Sequence, residues 1–198
     1  MKIIERAREI IFNPRMAWQT IKEEQLDIKQ LFINYAAPLA LIPSVCGLVG
    51  MTIIGIHLLD GNVIRAPFLE AFFGGAAGYG LNLTAIFIAG WVVKLLAPVF
   101  GAKADLDSAV KVVVFSMTPV WLAGLFSLIP GMGILSILGL YGIYLLYLGL
   151  KEVLATPQNK AVLYTISVLL AGVFISFILS LIVVSTIYGP MFMRMLAA

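Results

Sequence analysis

The sequence predicts an all-α, polytopic integral membrane protein: five transmembrane helices preceded by a short amphipathic arm. Three observations carry that expectation. The 198 residues are 62% hydrophobic and 12% charged, with a mean hydropathy of +1.06, against about 25% charge in an ordinary soluble domain. Between Lys111 and Lys151 lie 39 consecutive residues without Asp, Glu, Lys, Arg or His; as one helix they would reach about 58 Å, roughly twice the hydrocarbon thickness of a bilayer. Pro130-Gly131 near the centre of that run removes a backbone donor and supplies a permissive turn residue, so the run reads as two spans joined by a minimal hairpin.

Residues 1–30 form the arm, and residues 31–198 the membrane domain. In the arm, Ile3, Ile4, Ala7, Ile10 and Ile11 fall at helical spacing, with Glu5, Arg6, Arg8 and Glu9 opposite. That pattern fits a helix lying on a membrane surface or on the bundle. Asn13-Pro14 stops it and starts a second helix, with Asn13 placed to cap and Pro14 at the first helical position. Trp18 and Ile21 make the apolar side of this second helix. The arm holds no apolar run of the signal-peptide kind.

Asp27 opens the first span (about 32–57), with Gln30 in a capping-box position. Pro38 and Pro43 lie inside it, so a kinked helix is expected, its freed carbonyls near Asn34 and Leu39 satisfied by neighbours. His57 falls at its far end and reads as an interfacial residue, because no Cys, His or carboxylate stands at metal-ligand spacing from it. The second span (about 70–97) stacks Gly74, Gly78, Asn82, Ala85 and Ala89 along a narrow arc, a surface that lets another helix approach closely. Asn82, deep in the span, needs a partner. Trp91 and Lys94 have the look of a belt aromatic and a snorkelling cation.

Asp105 and Asp107 precede Ser108 and a new apolar run. Two aspartates at that spacing could share a divalent cation, but capping a helix N-terminus is the reading that their position favours. In the third span (about 109–129), Pro119 frees the carbonyl of Phe115, and the hydroxyls of Ser116 and Thr118 are near enough to compensate. The fourth span (about 131–151) clusters Gly139, Gly142 and Gly149 on one side and Tyr141, Tyr144, Tyr147 and Lys151 on the other. Tyr144 and Tyr147 read as interfacial aromatics; Tyr141 lies deeper, where its hydroxyl wants a partner. The fifth span (about 161–188) repeats Gly172, Ser176 and Ser180 every four residues, a second small-residue stripe. Tyr188-Gly189-Pro190 ends it, leaving a tail with Arg194.

The arm with Asn13-Pro14 and Trp18, the run YAAPLALIPS at 35–44, FSMTPVWLAGLFSLIP at 115–130 and LYGIYLLYLGLKEV at 140–153 together resemble the bacterial branch of the Yip family, over nearly the whole chain. The resemblance implies a five-span protein of the bacterial inner membrane with a cytoplasmic N-terminus. Eukaryotic members bind small Rab-type GTPases and act in vesicle traffic. This chain lacks their long cytosolic N-terminal region, so the GTPase partner is not carried over.

The chemistry-bearing residues exclude more than they propose. One Cys, Cys46, and one His leave no disulfide and no zinc site to build, and there is no phosphate-binding loop, His-Glu-x-x-His or Gly-x-Ser-x-Gly motif. The net charge of +3 is too small and dispersed for a nucleic-acid surface. No catalytic residue, cofactor or metal is therefore expected. The function expected is that of a non-enzymatic membrane organiser or adaptor, working through helix packing, lipids, a second copy of the chain or a membrane or cytoplasmic protein partner. The alternative is a small carrier or channel for a solute, ion or lipid, using a polar seam of Asn82, Ser116, Thr118, Pro119 and Tyr141; no acidic residue lies in a span core, where coupled transporters commonly put one. A lipid-modifying enzyme using Asp105 and Asp107 is the remotest reading.

Charge sets the expected orientation. With the N-terminus inside, eleven cations face the cytoplasm: Lys2, Arg6, Arg8, Arg15, Lys22, Lys29, Lys94, Lys103, Lys111, Lys151 and Lys160. Only Arg65 and Arg194 face out. That bias favours N-inside, C-outside. A phosphatase fused after Ala198 should be active outside the cytoplasm and a fluorescent-protein fusion there dark; the opposite pair of results would reverse the topology.

Overall fold

Two helices, α1 (Ile3–Phe12) and α2 (Pro14–Glu23), open the chain as an antiparallel hairpin turned at Asn13. The computed structural model describes residues 2–57 and 62–183. Among them, five helical segments are long and apolar enough to cross a membrane: Ile28–Ile54, Phe68–Leu96, Leu106–Leu128, Ile134–Glu152 and Gln158–Leu181. The end expected for the fifth span at Tyr188-Gly189-Pro190, and Arg194, lie outside the described residues. A two-stranded antiparallel ribbon, β1 (Ile56–His57) and β2 (Val63–Ile64), joins the first and second spans. It is too short for sequence periodicity to signal.

The arm is wedged into the bundle, against the third and fourth spans. Trp18 is fully buried, edge-on to Phe115 with ring centroids 6.2 Å apart. It also lies over Gly149, where an added Cβ would come within 2.9 Å of the indole. The Lys111 ammonium donates to the Ile21 carbonyl at 3.3 Å and to the Glu24 carbonyl at 2.5 Å. A helix leaves its last carbonyls without partners, and a cation there satisfies them. Arg6, Glu9 and Glu24 form an ion cluster between α1 and α2.

Three local expectations are corrected. Ile4 is 83% exposed, because the buried face of α1 is centred on Ala7 and Ile10 and takes in Arg6; Ile4 sits about 100° from Ile3, at the edge of that face. Asn13 makes no side-chain cap, although its carbonyl accepts the Ala17 N–H at 3.0 Å. Asp27 likewise makes no side-chain cap, so the capping box with Gln30 does not form.

The first span winds as a π-helix at Phe32–Ala36, just before Pro38, and again at Gly50–Ile54. Widened turns absorb the missing donor of a proline. Neighbouring hydroxyls reach other carbonyls of the span: Tyr79 that of Ala37 at 3.3 Å, and Ser127 that of Pro43 at 3.3 Å. Asp105 does cap the third span, its carboxylate accepting the Ser108 N–H at 2.8 Å. The hydrogen bond to Ser108 holds that carboxyl below the usual aspartate range. Lys94 lies 5.3 Å from the Trp91 ring centroid, a cation–π pair near the end of the second span.

The hairpin between third and fourth spans turns at Gly131, whose φ of +99° only glycine takes readily. Around it the chain is 3₁₀, at Gly124–Leu128 and Met132–Leu140, where uniform α-helix was expected. At about 2.0 Å rise per residue instead of 1.5 Å, this winding lets a short apolar segment reach further across the bilayer.

Trp18 fixes the arm, so Trp18→Ala should cost about 3–5 kcal/mol of stability. A drop in detergent melting temperature, with a spin label at Gln19 becoming mobile, is the expected result; an unchanged label would mean that the hydrogen bonds from Lys111 and Tyr141 hold the hairpin without the indole.

Candidate functional site

A crevice of about 590 Å³ opens between the second, third, fourth and fifth spans. Its walls combine larger apolar side chains, such as Ile86, Met117, Leu146 and Leu169, with small residues from three spans. Asn82, Ala85 and Ala89 supply one side, Gly139 and Gly142 another, and Gly172 and Ser176 a third. Two of these glycines let helices meet: a Cβ on Gly142 would lie 2.6 Å from the Ser116 carbonyl, and one on Gly139 3.3 Å from Val120 Cα. Gly172 is different. A Cβ there meets nothing within 4 Å, nor does one on Gly78. The stripe on the fifth span thus borders open space, because that span packs on the second and on the Tyr141–Glu152 half of the fourth. Ser180, further along it, is exposed, and Gly74 lines a separate groove beside Pro43.

The polar residues of the crevice are few and unevenly satisfied. Asn82 Oδ1 accepts from Trp121 Nε1 at 3.1 Å, which leaves Asn82 Nδ2 without a hydrogen bond among the described residues. Ser116 Oγ donates to the Val112 carbonyl at 2.7 Å, the usual refuge of a serine inside a helix. Ser136 and Ser176, both exposed at the edge of the crevice, make no such bond among the described residues, whereas Ser167, on the fifth span with Ser176, does, to Leu163 at 2.9 Å. Asn82 stands twelve residues, about 18 Å, from Lys94, at middle depth. In hydrocarbon a polar group without a partner is costly.

The other residues of the expected seam point elsewhere. Pro119 frees the Phe115 carbonyl, and Thr118 Oγ1 donates to it at 2.8 Å. Tyr35 of the first span lies 2.8 Å from the same Thr118 oxygen; the threonine's one hydrogen is already committed, so the tyrosine is the donor there. Tyr141 donates to the Ile11 carbonyl of the arm at 3.0 Å. Asn82 and Ser116 therefore share the crevice, while Thr118 and Tyr141 tie the third and fourth spans to the first span and the arm. Sequence reasoning missed Trp121 and Tyr35; each is an aromatic with a polar tip inside a span, and only tertiary placement pairs them with Asn82 and Thr118. Among the described residues no cluster of three or more His, Cys, Asp or Glu could hold a metal.

The family model described as "Yip1 domain" matches residues 8–192. The Escherichia coli inner membrane protein YohC, in strains K12 and O6:H1, is 26% identical over 182 residues, which span 89% of this chain and 93% of the relative. No solved structure matches.

The Asn82–Trp121 bond should carry a measurable coupling. A double-mutant cycle of Asn82→Leu and Trp121→Phe is expected to give about 0.6–1.7 kcal/mol in thermal stability, the range of interhelical hydrogen bonds in membranes; strictly additive losses would show the pair to be energetically idle.

Proposed function

Since this chain belongs to the Yip1 family and is an integral membrane protein, we propose that it is a non-enzymatic organiser of the inner membrane that holds a lipid-like amphiphile in the crevice between its second to fifth spans. One observation carries this reading: an apolar cavity at mid-depth, of the size that ordinary ligands occupy, holds an amide donor that the described residues leave unpaired, with the exposed hydroxyls of Ser136 and Ser176 on its lining. The lining includes no titratable side chain. An amide and hydroxyls can orient an ester, carbonyl or hydroxyl of a bound molecule, but they supply no general acid or base for turning it over. Several rim residues, such as Val173 and Leu140, are exposed on the side that faces lipid, which gives an amphiphile a sideways entry from the bilayer. The charge bias of the loops supports an N-terminus on the cytoplasmic side.

Gly172 provides the test, because nothing stands where its side chain would grow. Gly172→Leu should fold at least as stably as the parent, since a helical glycine is replaced, yet fill the crevice. Native mass spectrometry of protein released from membranes should show a bound lipid on the parent and about tenfold less on the variant, a difference of about 1.4 kcal/mol. Equal lipid on both proteins would remove the crevice as the site. A benzophenone amino acid placed at Val173 that joins two protein chains, and no lipid, would assign the surface to a second copy.

A further inference from the structure

The outer face of the arm combines three features that the crevice does not explain. First, it exposes large apolar side chains: Ile4 is 83% exposed, Phe12 73% and Met16 70%. Second, its tip reaches deep. The Ile11 carbonyl receives the Tyr141 hydroxyl, and the tip residues Phe12 to Met16 border a depression that also includes Tyr144. Tyr141 and Tyr144 precede Glu152, the last residue of the fourth span, by eleven and eight positions. At 1.5 Å per residue these are about 16 and 12 Å above that end; with the membrane boundary taken at that end of the span, the tip falls within the leaflet on the arm's side. Third, its charge is unbalanced. Glu5 is paired with Lys2 at 3.1 Å and Glu9 with Arg6 at 3.0 Å, which leaves Arg8 and Arg15 with no ion-pair partner among the described residues.

We infer that the tip of the α1–α2 hairpin is a docking surface for anionic phospholipid in the leaflet it enters. Arg8 and Arg15 take phosphodiester groups, and Phe12 and Met16 lie among the first acyl carbons. The chemistry favours that occupant on two counts. A guanidinium matches a phosphate with two parallel hydrogen bonds. Apolar side chains flanked by basic ones are the composition of a surface that sits at the headgroup boundary. A depression of about 630 Å³ lined by Glu5, Arg8, Glu9, Phe12 and Asn13 adjoins the one of about 290 Å³ next to Arg15 and Tyr144, so headgroups have room on both sides of Phe12. An acidic protein segment would meet the arginines equally well, but it would not cover Phe12 and Met16 at the depth of Tyr144.

The full chain, reconstituted in phosphatidylcholine vesicles, is probed with spin-labelled phosphatidylglycerol and spin-labelled phosphatidylcholine. The parent should restrict phosphatidylglycerol in preference to phosphatidylcholine by about fivefold or more, as expected of two basic residues at an anionic surface. Arg8→Gln with Arg15→Gln should bring the ratio to near one, while Lys22→Gln with Lys29→Gln, which removes equal charge nearer the base of the arm, should keep it. Restriction of phosphatidylcholine, and lipid retained in the crevice, should be the same in all three proteins, which separates failure of this surface from failure of the crevice. A parent with no preference overturns the inference, as does an arginine double variant that keeps the ratio or a lysine double variant that loses it.

Discussion

The break at Pro119 is the constraint on which the rest of the bundle depends. A proline inside a membrane helix strands the carbonyl one turn earlier, and no water is present in hydrocarbon to take it. Here the stranded group belongs to Phe115, and it is repaired by a relay: Thr118 donates to the carbonyl, and Tyr35 donates to Thr118. The repair decides what can pack nearby. Tyr35 must lie against the third span, which places its ring 4.7 Å from that of Phe115. Phe115 in turn meets Trp18. One missing N–H thus fixes the first span, the third span and the arm relative to one another.

The two halves of the third span serve different ends. Before the break, every residue from Ala109 to Ser116 is buried, with Val110 meeting Gly90 of the second span and Val112 meeting Gly149 of the fourth. This arm-side half is a close-packed core of the soluble kind, held by glycines where backbones approach and closed by the Lys111 cap on α2. Beyond the break the packing is uneven: Gly124 closes on Pro43 and Gly50 on the Ser127 carbonyl, where an added Cβ would come within 2.5 Å of either. After Ala123 the helix becomes 3₁₀ and large side chains such as Leu125 and Ile134 turn outward, while the crevice lies across the break, bordered by Val113, Ser116 and Met117 before it and by Val120 after it. Close packing and unfilled space thus follow from where the small residues have partners: Gly90, Gly124 and Gly142 have them, and Gly172 does not.

That distinction also marks what the sequence could tell. Pro119, Thr118, Asp105 and Tyr141 were legible because each poses a local problem, an orphaned carbonyl, an uncapped helix or a buried hydroxyl, with few solutions within reach. The spans were legible because their length and apolarity answer to the bilayer alone. Ile4 and the Asn13 cap were misread because each was judged by its own helix, while the outcome was settled by the neighbour: α1 turns the face of Ala7 inward, and at the hairpin turn the Asn13 side chain makes no cap bond. Gly172 and Gly142 look alike in sequence, since each is a small residue on a helical stripe. Only the placement of a second helix separates a glycine that admits a carbonyl from one that borders a void. The partners of Asn82 and Thr118 were hidden for the same reason, as Trp121 and Tyr35 contribute through tertiary placement and not through spacing.

The fourth span is where the two halves meet. Consecutive residues, about 100° apart around the helix, serve different neighbours: Tyr141 donates to the Ile11 carbonyl of the arm, and Gly142 faces the Ser116 carbonyl at the crevice. One turn of helix therefore carries the arm on one face and the crevice wall on the next. The close approach at Gly142 leaves little room for that turn to move toward the third span, because a packed interface rearranges in discrete steps and does not deform smoothly. An occupant that pushed the fourth span away from the third would have to carry Tyr141, and with it the hairpin tip, in the same direction. The crevice wall and the seat of the arm consequently share one helix, and any free energy that coupled an occupant of the crevice to the arm would act equally in both senses.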